Sequence, residues 1–352
     1  MTGIGRRHPI IEEDLREIVA AELPWERLHG KTVLVTGANG FVPAYLVETL
    51  LKLNEMTTGP RMRIIGLVRN VAKAETRFAA HRDRSDLEFA VQDVCDPLKI
   101  DGRIDFIIHA ASQATPKVYG TDPVGTLLPN TIGTRNLLER ARQDRSESVL
   151  FISGGEVYGH VPPEQIPTGE QSFGRLVPTD VRACYAESKR MGETMCVAWH
   201  HQYGVPARMA RLYHTYGPGM SLTDGRVFAD FVADILQGRD IVMKSDGSAS
   251  RTFCYLADAT LGFFTLLLRG EAGQAYNLGE DREEVSILQL AERLVRLFPE
   301  KAMKVVRAPQ SADYLPSPIA RHLPDITRIR CLGWSPVTTL EAGFLRTVRS
   351  FT

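Results

Sequence analysis

A tyrosine and a lysine four residues apart are the side chains of this sequence best suited to acid–base chemistry. Tyr185 and Lys189 lie in the segment Tyr-Ala-Glu-Ser-Lys, within a pattern that predicts a helix, so both side chains share one helical face. A lysine ammonium beside a phenol favours the phenolate and lowers the tyrosine pKa from its reference value of about 10. Tyr185 could then remove a hydroxyl proton while a hydride leaves the same carbon. The motif is also typical of ordinary surface helices, so its meaning depends on the residues that precede it.

A glycine-containing turn upstream supplies that context. Residues 36–43 read Thr-Gly-Ala-Asn-Gly-Phe-Val-Pro and lie between a predicted strand and a predicted helix. Gly37 permits a tight turn, and Gly40 lets the backbone approach a pyrophosphate at the positive end of the helix. Although the spacing is not G-x-G-x-x-G, its place in the first βα unit predicts a dinucleotide-binding site. The predicted cofactor contacts in this turn are Gly37, Asn39, Gly40, Phe41 and Val42.

The end of the second predicted strand bears on the choice between NAD and NADP. An acidic residue there accepts from the ribose 2′-hydroxyl, whereas an arginine suits a 2′-phosphate. This strand ends at Arg69 and Asn70, which we predict to contact the cofactor. Arg69 weakly favours NADP, and an arginine simply exposed to solvent is the alternative.

Short apolar runs alternate with helical patterns as far as residue 212, which indicates a parallel sheet covered by helices on both faces. We therefore predict an α/β fold of the Rossmann type: a doubly wound parallel sheet with a smaller C-terminal α/β substrate lobe. The predicted division is an N-terminal helical extension (1–30), an NAD(P)-binding domain (31–212) and a mainly substrate-binding lobe (213–352) from which segments can cross back. The predicted strands are Thr32–Thr36, Arg63–Val68, Leu87–Val91, Ile104–His109, Val149–Ser153 and Ala207–Leu212. The predicted helices are 10–23, Val42–Leu53, Gly125–Arg142, Arg182–Tyr203 and Ser286–Phe298.

Composition describes an ordinary globular protein. Hydrophobic residues make up 43% of the chain and its formal net charge is zero, so nothing in the composition indicates a basic footprint for nucleic acid or for a membrane surface, and neither partner is expected. The five cysteines lack CxxC spacing, so neither a disulfide framework nor a metal site is expected. The charged N-terminal residues do not fit a signal peptide and no apolar run is long enough to span a bilayer. We expect a cytoplasmic protein.

Taken together, the chain resembles the extended short-chain dehydrogenase/reductase family, the NAD-dependent epimerases and dehydratases, from about Lys31 to Phe351. The matching blocks are TGANGFVP, QDV at 92–94, HAAS at 109–112, NTIGTRNLLE at 130–139, EVYG at 156–159 and YAESK at 185–189. Within the family it looks most like UDP-glucuronate decarboxylases, through residues 181–195, 224–228, 245–258 and 323–334. These blocks are specific for nucleotide-sugar enzymes and less specific for decarboxylation.

The resemblance implies roles for residues that composition and spacing leave unassigned. It implies that Tyr185 and Lys189 are catalytic and that the nucleotide-sugar diphosphate and base meet arginine forks, which suit phosphate oxygens. A homodimer formed by the helices near 125–142 and 182–203 is also implied. The further cofactor contacts are Asp93, Val94, Ala110, Ala111 and Ser112, and the substrate contacts are Gly154, Gly155, His214, Arg226, Arg251 and Arg321.

Departures from the family pattern restrict which of the family's reactions this chain is expected to catalyse. Gly154 stands where the family has a catalytic serine or threonine, so Ser153 or water is expected to substitute for that hydroxyl. Sugar 4,6-dehydratases carry an Asp–Glu pair where this chain has Gly155 and Glu156, so the acid is missing and the base position remains. His214 replaces an asparagine and is predicted either to contact phosphate or sugar or to be a satisfied cleft histidine.

These features predict an enzyme that oxidises C4 of a nucleotide-sugar with a retained, recycled NAD or NADP. A 4-ketone makes a C5 carboxylate a β-keto acid, so UDP-glucuronate decarboxylation is the first hypothesis, with Glu156 positioning or protonating the intermediate. A nucleotide-sugar 4-epimerase shares every motif and is the alternative. A 4,6-dehydratase and a non-catalytic NAD(P)-binding protein that lost activity with Gly154 are less favoured.

Overall fold

The structure, a computed structural model, covers residues 7–223, 225–307 and 319–352 and alternates strands with helices. Residues 1–6 of the predicted extension, Asp224 of one matching segment, and residues 308–318 lie outside the described residues. The strands are β1 Thr32–Thr36, β2 Arg63–Val68, β3 Leu87–Val91, β4 Phe106–His109, β5 Ser148–Gly154, β6 Ala207–Leu212, β7 Thr215–Tyr216, β8 Ile241–Met243, β9 Ser250–Arg251, β10 Cys254–Tyr255, β11 Ala275–Leu278, β12 Val285–Ser286, β13 Val305–Arg307 and β14 Arg321–His322. The helices are α1 Pro9–Ala20, α2 Phe41–Met56, α3 Val71–Arg77, α4 Pro116–Tyr119, α5 Pro123–Leu128, α6 Thr134–Asp144, α7 Ala183–Tyr203, α8 Val227–Leu236, α9 Leu256–Arg269, α10 Ile287–Leu297, α11 Thr327–Arg330 and α12 Leu340–Arg349.

A parallel sheet of seven strands forms the centre of the described part of the chain. Its strands lie in the order β11-β6-β5-β4-β1-β2-β3, and each neighbouring pair is parallel. The four residues of β4 are all buried, as are the seven of β5, because helices cover both faces of the sheet. The predicted α/β fold of the Rossmann type is confirmed. In such sheets ligands bind outside the carboxyl ends of the strands.

Most predicted strands coincide with observed ones, and the main error concerns a helix. β1, β2, β3 and β6 have the predicted bounds, whereas β4 begins at Phe106 rather than Ile104. The single helix predicted for Gly125–Arg142 is divided into α5 and α6 by a π-helical segment, Pro129–Gly133. Proline has no amide donor and its ring crowds the preceding turn, so regular α-helical hydrogen bonding is interrupted at Pro129.

The residues after β6 build a smaller lobe around three short sheets, and one strand returns to the main sheet. The short sheets contain β7 with β10, β9 between β12 and β14, and β8 with β13. Their core is aromatic: Tyr216 stacks on Phe344 with ring centroids 4.0 Å apart. β11, from the C-terminal part of the chain, pairs with β6 in the main sheet. No helix in the described ranges combines the length and apolarity needed to cross a bilayer.

The N-terminal extension folds against both parts of the molecule. α1 buries Leu15, Ile18 and Val19, and it packs on α2 and α9. Asp14 is fully buried and accepts hydrogen bonds from Tyr45 on α2 and from Tyr255 on β10, at 2.7 and 2.8 Å. The extension therefore joins the main sheet's first helix to the smaller lobe.

Candidate active site

Tyr185 and Lys189 lie one turn apart on the buried face of α7. Their exposed fractions are 8% and 3%, and the Lys189 ammonium nitrogen is 5.7 Å from the centre of the Tyr185 ring. Lys189 donates to the carbonyl oxygen of Ile152 at 2.6 Å, which anchors the lysine to the end of β5. The helix and strand thus hold the predicted pair in a fixed relation.

The electrostatics of the pair differ from the expectation that neighbouring cations lower the tyrosine pKa. Burial raises the pKa of Tyr185 well above its ordinary value, and the nearby Glu156 carboxylate raises it further. Burial also lowers the pKa of Lys189 to about 7. The surrounding protein therefore does not itself generate a phenolate, because desolvation and the Glu156 charge outweigh the attraction of Arg226.

The end of β5 carries the positions where a hydroxyl was expected. A Cβ at Gly154 would lie 3.1 Å from the Tyr185 hydroxyl oxygen, so a side chain there would meet the tyrosine directly. The hydroxyl of Ser153 instead donates to Glu193 at 2.6 Å, and Glu193 in turn pairs with Arg211. The Ser153 proton is engaged in this buried network. This arrangement does not support Ser153 as the substitute for the catalytic hydroxyl that is missing at position 154.

Glu156 lies in the short 3₁₀ turn that follows β5, among several cations. Burial raises the pKa of its carboxyl, while Arg182, Arg226 and Arg251 oppose that shift. The two arginines predicted to contact substrate thus lie close enough to act on Glu156. Arg182, one turn before Tyr185, was not anticipated.

The predicted substrate residues do not all face the same cleft. Arg251 on β9 donates to the carbonyl oxygens of Ser250 and Ala320 at 2.6 and 3.0 Å. Arg226 precedes α8, with its guanidinium 5.5 Å from the Phe228 ring centre. Arg321 points to solvent and forms two hydrogen bonds with Glu284, at 2.8 and 2.9 Å. Arg321 is therefore not brought together with the others.

The neighbour of Arg321 takes the inward position instead. β14 pairs in parallel with β9, which sets His322 opposite Arg251, and alternation along the strand turns His322 inward where Arg321 turns outward. His322 is 8% exposed and its Nδ1 lies 3.3 Å from Nε2 of His214. The sequence indicates His214 but not His322, because a two-residue strand carries no local periodicity.

The turn between β1 and α2 has the geometry of a phosphate cradle. Gly37 has φ +66°, and a Cβ there would lie 2.9 Å from the Cα of Ala111. Gly40 precedes the first turn of α2 without a capping side chain, and Asn39, Phe41 and Val42 complete the turn. The Ser112 hydroxyl oxygen is buried and has no hydrogen-bond partner among the described residues. An open helix N-terminus and a buried unpaired hydroxyl both fit a bound dinucleotide.

Behind this turn, a threonine and a histidine hold the end of β4. The Thr36 hydroxyl oxygen accepts the amide N–H groups of Ala110 and Ala111, at 3.1 and 3.0 Å, and lies 2.9 Å from Nδ1 of His109. Ala110 and Ala111 can therefore line the predicted cofactor site, but their amide N–H groups already donate to the Thr36 hydroxyl. Burial lowers the pKa of His109 to about 3, so it acts as a neutral structural group.

The predicted adenosine contacts lie at the ends of β2 and β3. Arg69 is exposed, with its guanidinium 3.8 Å from the Asp93 carboxylate. The side chain of Asn70 caps α3 by accepting from the Lys73 amide. Val94 is buried and Asp93 accepts from the Cys95 amide. These residues lie at the carboxyl ends of β2 and β3, beside one edge of the sheet.

Tyr119 is a further site residue that the sequence did not reveal. Its ring stacks on Tyr185 with centroids 5.1 Å apart and an angle of 13° between the planes. The contact fixes the orientation of the Tyr185 ring. No spacing rule links residue 119 to residue 185, so only the fold shows it.

Comparison with known proteins agrees with this geometry. The model of the NAD dependent epimerase/dehydratase family matches residues 33–279. The chain belongs to this family. The resemblance to UDP-glucuronate decarboxylases is also confirmed: the chain is 36% identical to UDP-glucuronic acid decarboxylase 1 of Xenopus tropicalis, covering 91% of this chain and 72% of that one. It is 33% identical to UDP-glucuronic acid decarboxylase 6 of Arabidopsis thaliana, covering 88% and 86%.

Solved structures share the fold. An epimerase from Methanothermobacter thermautotrophicus superposes with a TM-score of 0.77 at 25% identity, covering 98% of this chain and 96% of the other. A UDP-glucuronic acid 4-epimerase from Bacillus cereus, in complex with UDP-glucuronic acid and NAD, gives 0.72 at 21% identity, covering 91% and 98%. The chain therefore shares the fold of these two proteins.

Proposed function

We propose that this protein is a UDP-glucuronate decarboxylase that works through a transient 4-keto sugar. The observation that carries the proposal is the buried Tyr185–Lys189 pair, with Glu156 beside it and no acid at position 155. The identity to named decarboxylases over most of the chain supports the choice of substrate.

The cofactor of the proposal is NAD or NADP. Gly37, Asn39 and Gly40 would hold its pyrophosphate, and Ser112 would meet its nicotinamide half. Bound there, the cofactor would supply the hydride acceptor and donor at C4. Arg69 favours a 2′-phosphate, whereas the adjacent Asp93 suits a free ribose, so mass spectrometry of the co-purified nucleotide decides between NADP and NAD.

The residues of the chain divide the proton chemistry between them. Tyr185 takes the proton of the C4 hydroxyl as C4 becomes a ketone, and Lys189 stabilises the resulting phenolate. The C5–C6 bond then breaks, its electron pair forms the C4–C5 enolate, and CO2 leaves. Glu156 positions the sugar or its C5 intermediate, Arg226 and Arg251 hold the diphosphate, and Tyr185 returns its proton when C4 is reduced.

The glycines disfavour the dehydratase chemistry of the family. Loss of a C6 hydroxyl needs an acid that protonates the leaving group, and Gly155 offers none. CO2 leaves without such an acid, so the loss of the side chain at 155 is compatible with decarboxylation.

Incubation with UDP-glucuronate tests the proposal. We expect CO2 and a UDP-pentose from the wild-type protein, and a loss of at least roughly 10²-fold in rate for Tyr185→Phe, since the phenol is the proton acceptor. The matched control, Tyr203→Phe, alters an exposed tyrosine at the end of the same helix and should keep full activity. Intact substrate or a six-carbon product from the wild type would contradict decarboxylation.

A 4-epimerase is the second candidate, favoured by the structural similarity to an epimerase that binds UDP-glucuronic acid. The two activities share the oxidation at C4 and differ in the fate of the 4-keto sugar. NMR of the product separates them, because epimerisation gives UDP-galacturonate with its carboxylate retained.

The proposal includes a homodimer formed by α5, α6 and α7. Exposed apolar side chains lie on α5, on α7 and on the π-helical segment between α5 and α6, including Leu127 at 39%, Met191 at 51% and Ile132 at 41%. Such a patch is typical of a protein–protein interface. A twofold axis would place it against the same patch of a second copy of the chain. We expect light scattering to give a dimer for the wild type, a monomer for the double variant L127E/M191E, and a dimer for V337E, which alters an apolar residue exposed elsewhere. A monomeric wild type would refute it.

A cytoplasmic location is the last part of the proposal. All five cysteines are unbonded, which fits a reducing compartment. Fractionation of cells that express the native gene would test it.

A further inference from the structure

The His322 imidazole occupies the space that a side chain at position 155 would need. A Cβ on Gly155 would lie 2.8 Å from Nε2 of His322 and 3.0 Å from the Tyr213 ring. His322 stacks on Tyr213 with centroids 4.3 Å apart, which fixes its plane. A side chain at 155 and the histidine ring therefore exclude one another.

His322 also presents a buried nitrogen that no side chain in the described residues satisfies. Its Nε2 is buried and makes no hydrogen bond of good geometry there, although the Gly155 backbone is close enough to raise the pKa of the ring slightly against burial, and such groups are rare because an unmet hydrogen bond costs free energy. The nitrogen lies at Gly155, one residue beyond the glycine that borders the Tyr185 hydroxyl. The Tyr185 hydroxyl and the His322 ring therefore flank consecutive residues at the carboxyl end of β5.

The other nitrogen of His322 connects it to a second histidine. Its Nδ1 is 3.3 Å from Nε2 of His214, and His214 is only half-buried. Burial and the adjacent Arg251 lower the pKa of His322 to about 3, and burial lowers that of His214 as well. Both rings are therefore neutral, and a single proton between them can belong to either ring.

We propose that His322 delivers the proton that C5 of the sugar acquires after CO2 has left, with His214 replenishing it from the solvent side. This role rests on the proposed decarboxylation. Because Gly155 has no side chain, the His322 ring can occupy the space beside the end of β5 that a side chain at 155 would fill.

The step balances in atoms and charge. The electron pair of the broken C5–C6 bond, held in the enolate, forms the C5–H bond with the proton of His322 Nε2. His322 Nδ1 takes the proton of His214 Nε2, and Nδ1 of His214 takes one from water, which leaves as hydroxide. Both histidines stay neutral with exchanged tautomers, which proton exchange with water reverses after the product leaves, and the overall reaction consumes the one proton that decarboxylation requires.

Turnover of UDP-glucuronate in D2O with added NAD tests the role. We expect the wild type to place one deuterium at C5 in a single orientation. His322→Gln keeps a polar side chain but cannot transfer a proton, so product formation should slow by roughly 10²-fold. The reduced cofactor and the C4–C5 enolate should accumulate, because oxidation at C4 is unaffected, and slow protonation of the enolate by solvent should place deuterium at C5 from both faces. His214→Gln should slow turnover less, with a single orientation retained.

Several results would overturn the role. One is wild-type rate and deuterium orientation in His322→Gln; another is the loss of a single orientation in Glu156→Gln but not in His322→Gln, which would make Glu156 the donor. A wild type that leaves UDP-glucuronate intact would remove the proposed function and this role with it, whereas an active wild type with an unaffected variant removes only the role. His200→Gln, a histidine at the far end of α7, is the matched control, and equal melting temperatures show that the variants fold.

Discussion

At the scale of single residues, the buried Lys189 makes the stability of the fold depend on pH. Its pKa falls from 10.5 to about 7 on folding, so between these values the unfolded chain binds a proton that the folded chain does not. Stability from this residue therefore rises with pH across that window. Urea unfolding measures the free energy of unfolding of the wild type and of Lys189→Met at about pH 7 and about pH 9. The wild-type value minus the Lys189→Met value should be larger at the higher pH. A difference that stays constant would contradict it, and Lys73→Met, an exposed lysine, controls for loss of a surface charge.

At the scale of elements, the two glycines of the turn between β1 and α2 should respond differently to alanine. Gly37 combines a positive φ with a contact of 2.9 Å to the Ala111 backbone, so Gly37→Ala should cost roughly 1–3 kcal/mol of stability and abolish cofactor binding. A Cβ at Gly40 would meet its neighbours at 3.1 Å with an ordinary φ, so Gly40→Ala should mainly weaken cofactor affinity. Thermal unfolding measures the stability of the two variants, and calorimetric titration with NAD and NADP measures their cofactor affinity. Equal losses of stability in the two variants would contradict this prediction.

At the scale of the whole molecule, the sequence predicts what local patterns encode and misses what the chain's path brings together. β1 and β2 were predictable because strands covered on both faces are continuous apolar runs, and Tyr185 with Lys189 because one helical turn joins them. His322 and Tyr119 reach the site from distant segments, so no spacing indicates them. β11 pairs with β6 in the main sheet although β7 to β10 lie between these two strands in the sequence. His322 rather than Arg321 turns inward because the facing strand sets the alternation of β14.

The same long-range connection predicts that the N-terminal segment is part of the folded enzyme. Asp14 is fully buried and accepts from Tyr45, Tyr255 and Arg346, so Asp14→Ala leaves those donors unpaired at the junction of both lobes. Removing one partner of a buried ion pair costs about 3–5 kcal/mol, and thermal unfolding should show a large fall in Tm. Glu13→Ala removes an exposed partner of the same Arg346 and should cost less than about 1 kcal/mol. Equal shifts in the two variants would mean that α1 is an appendage rather than a link between the lobes.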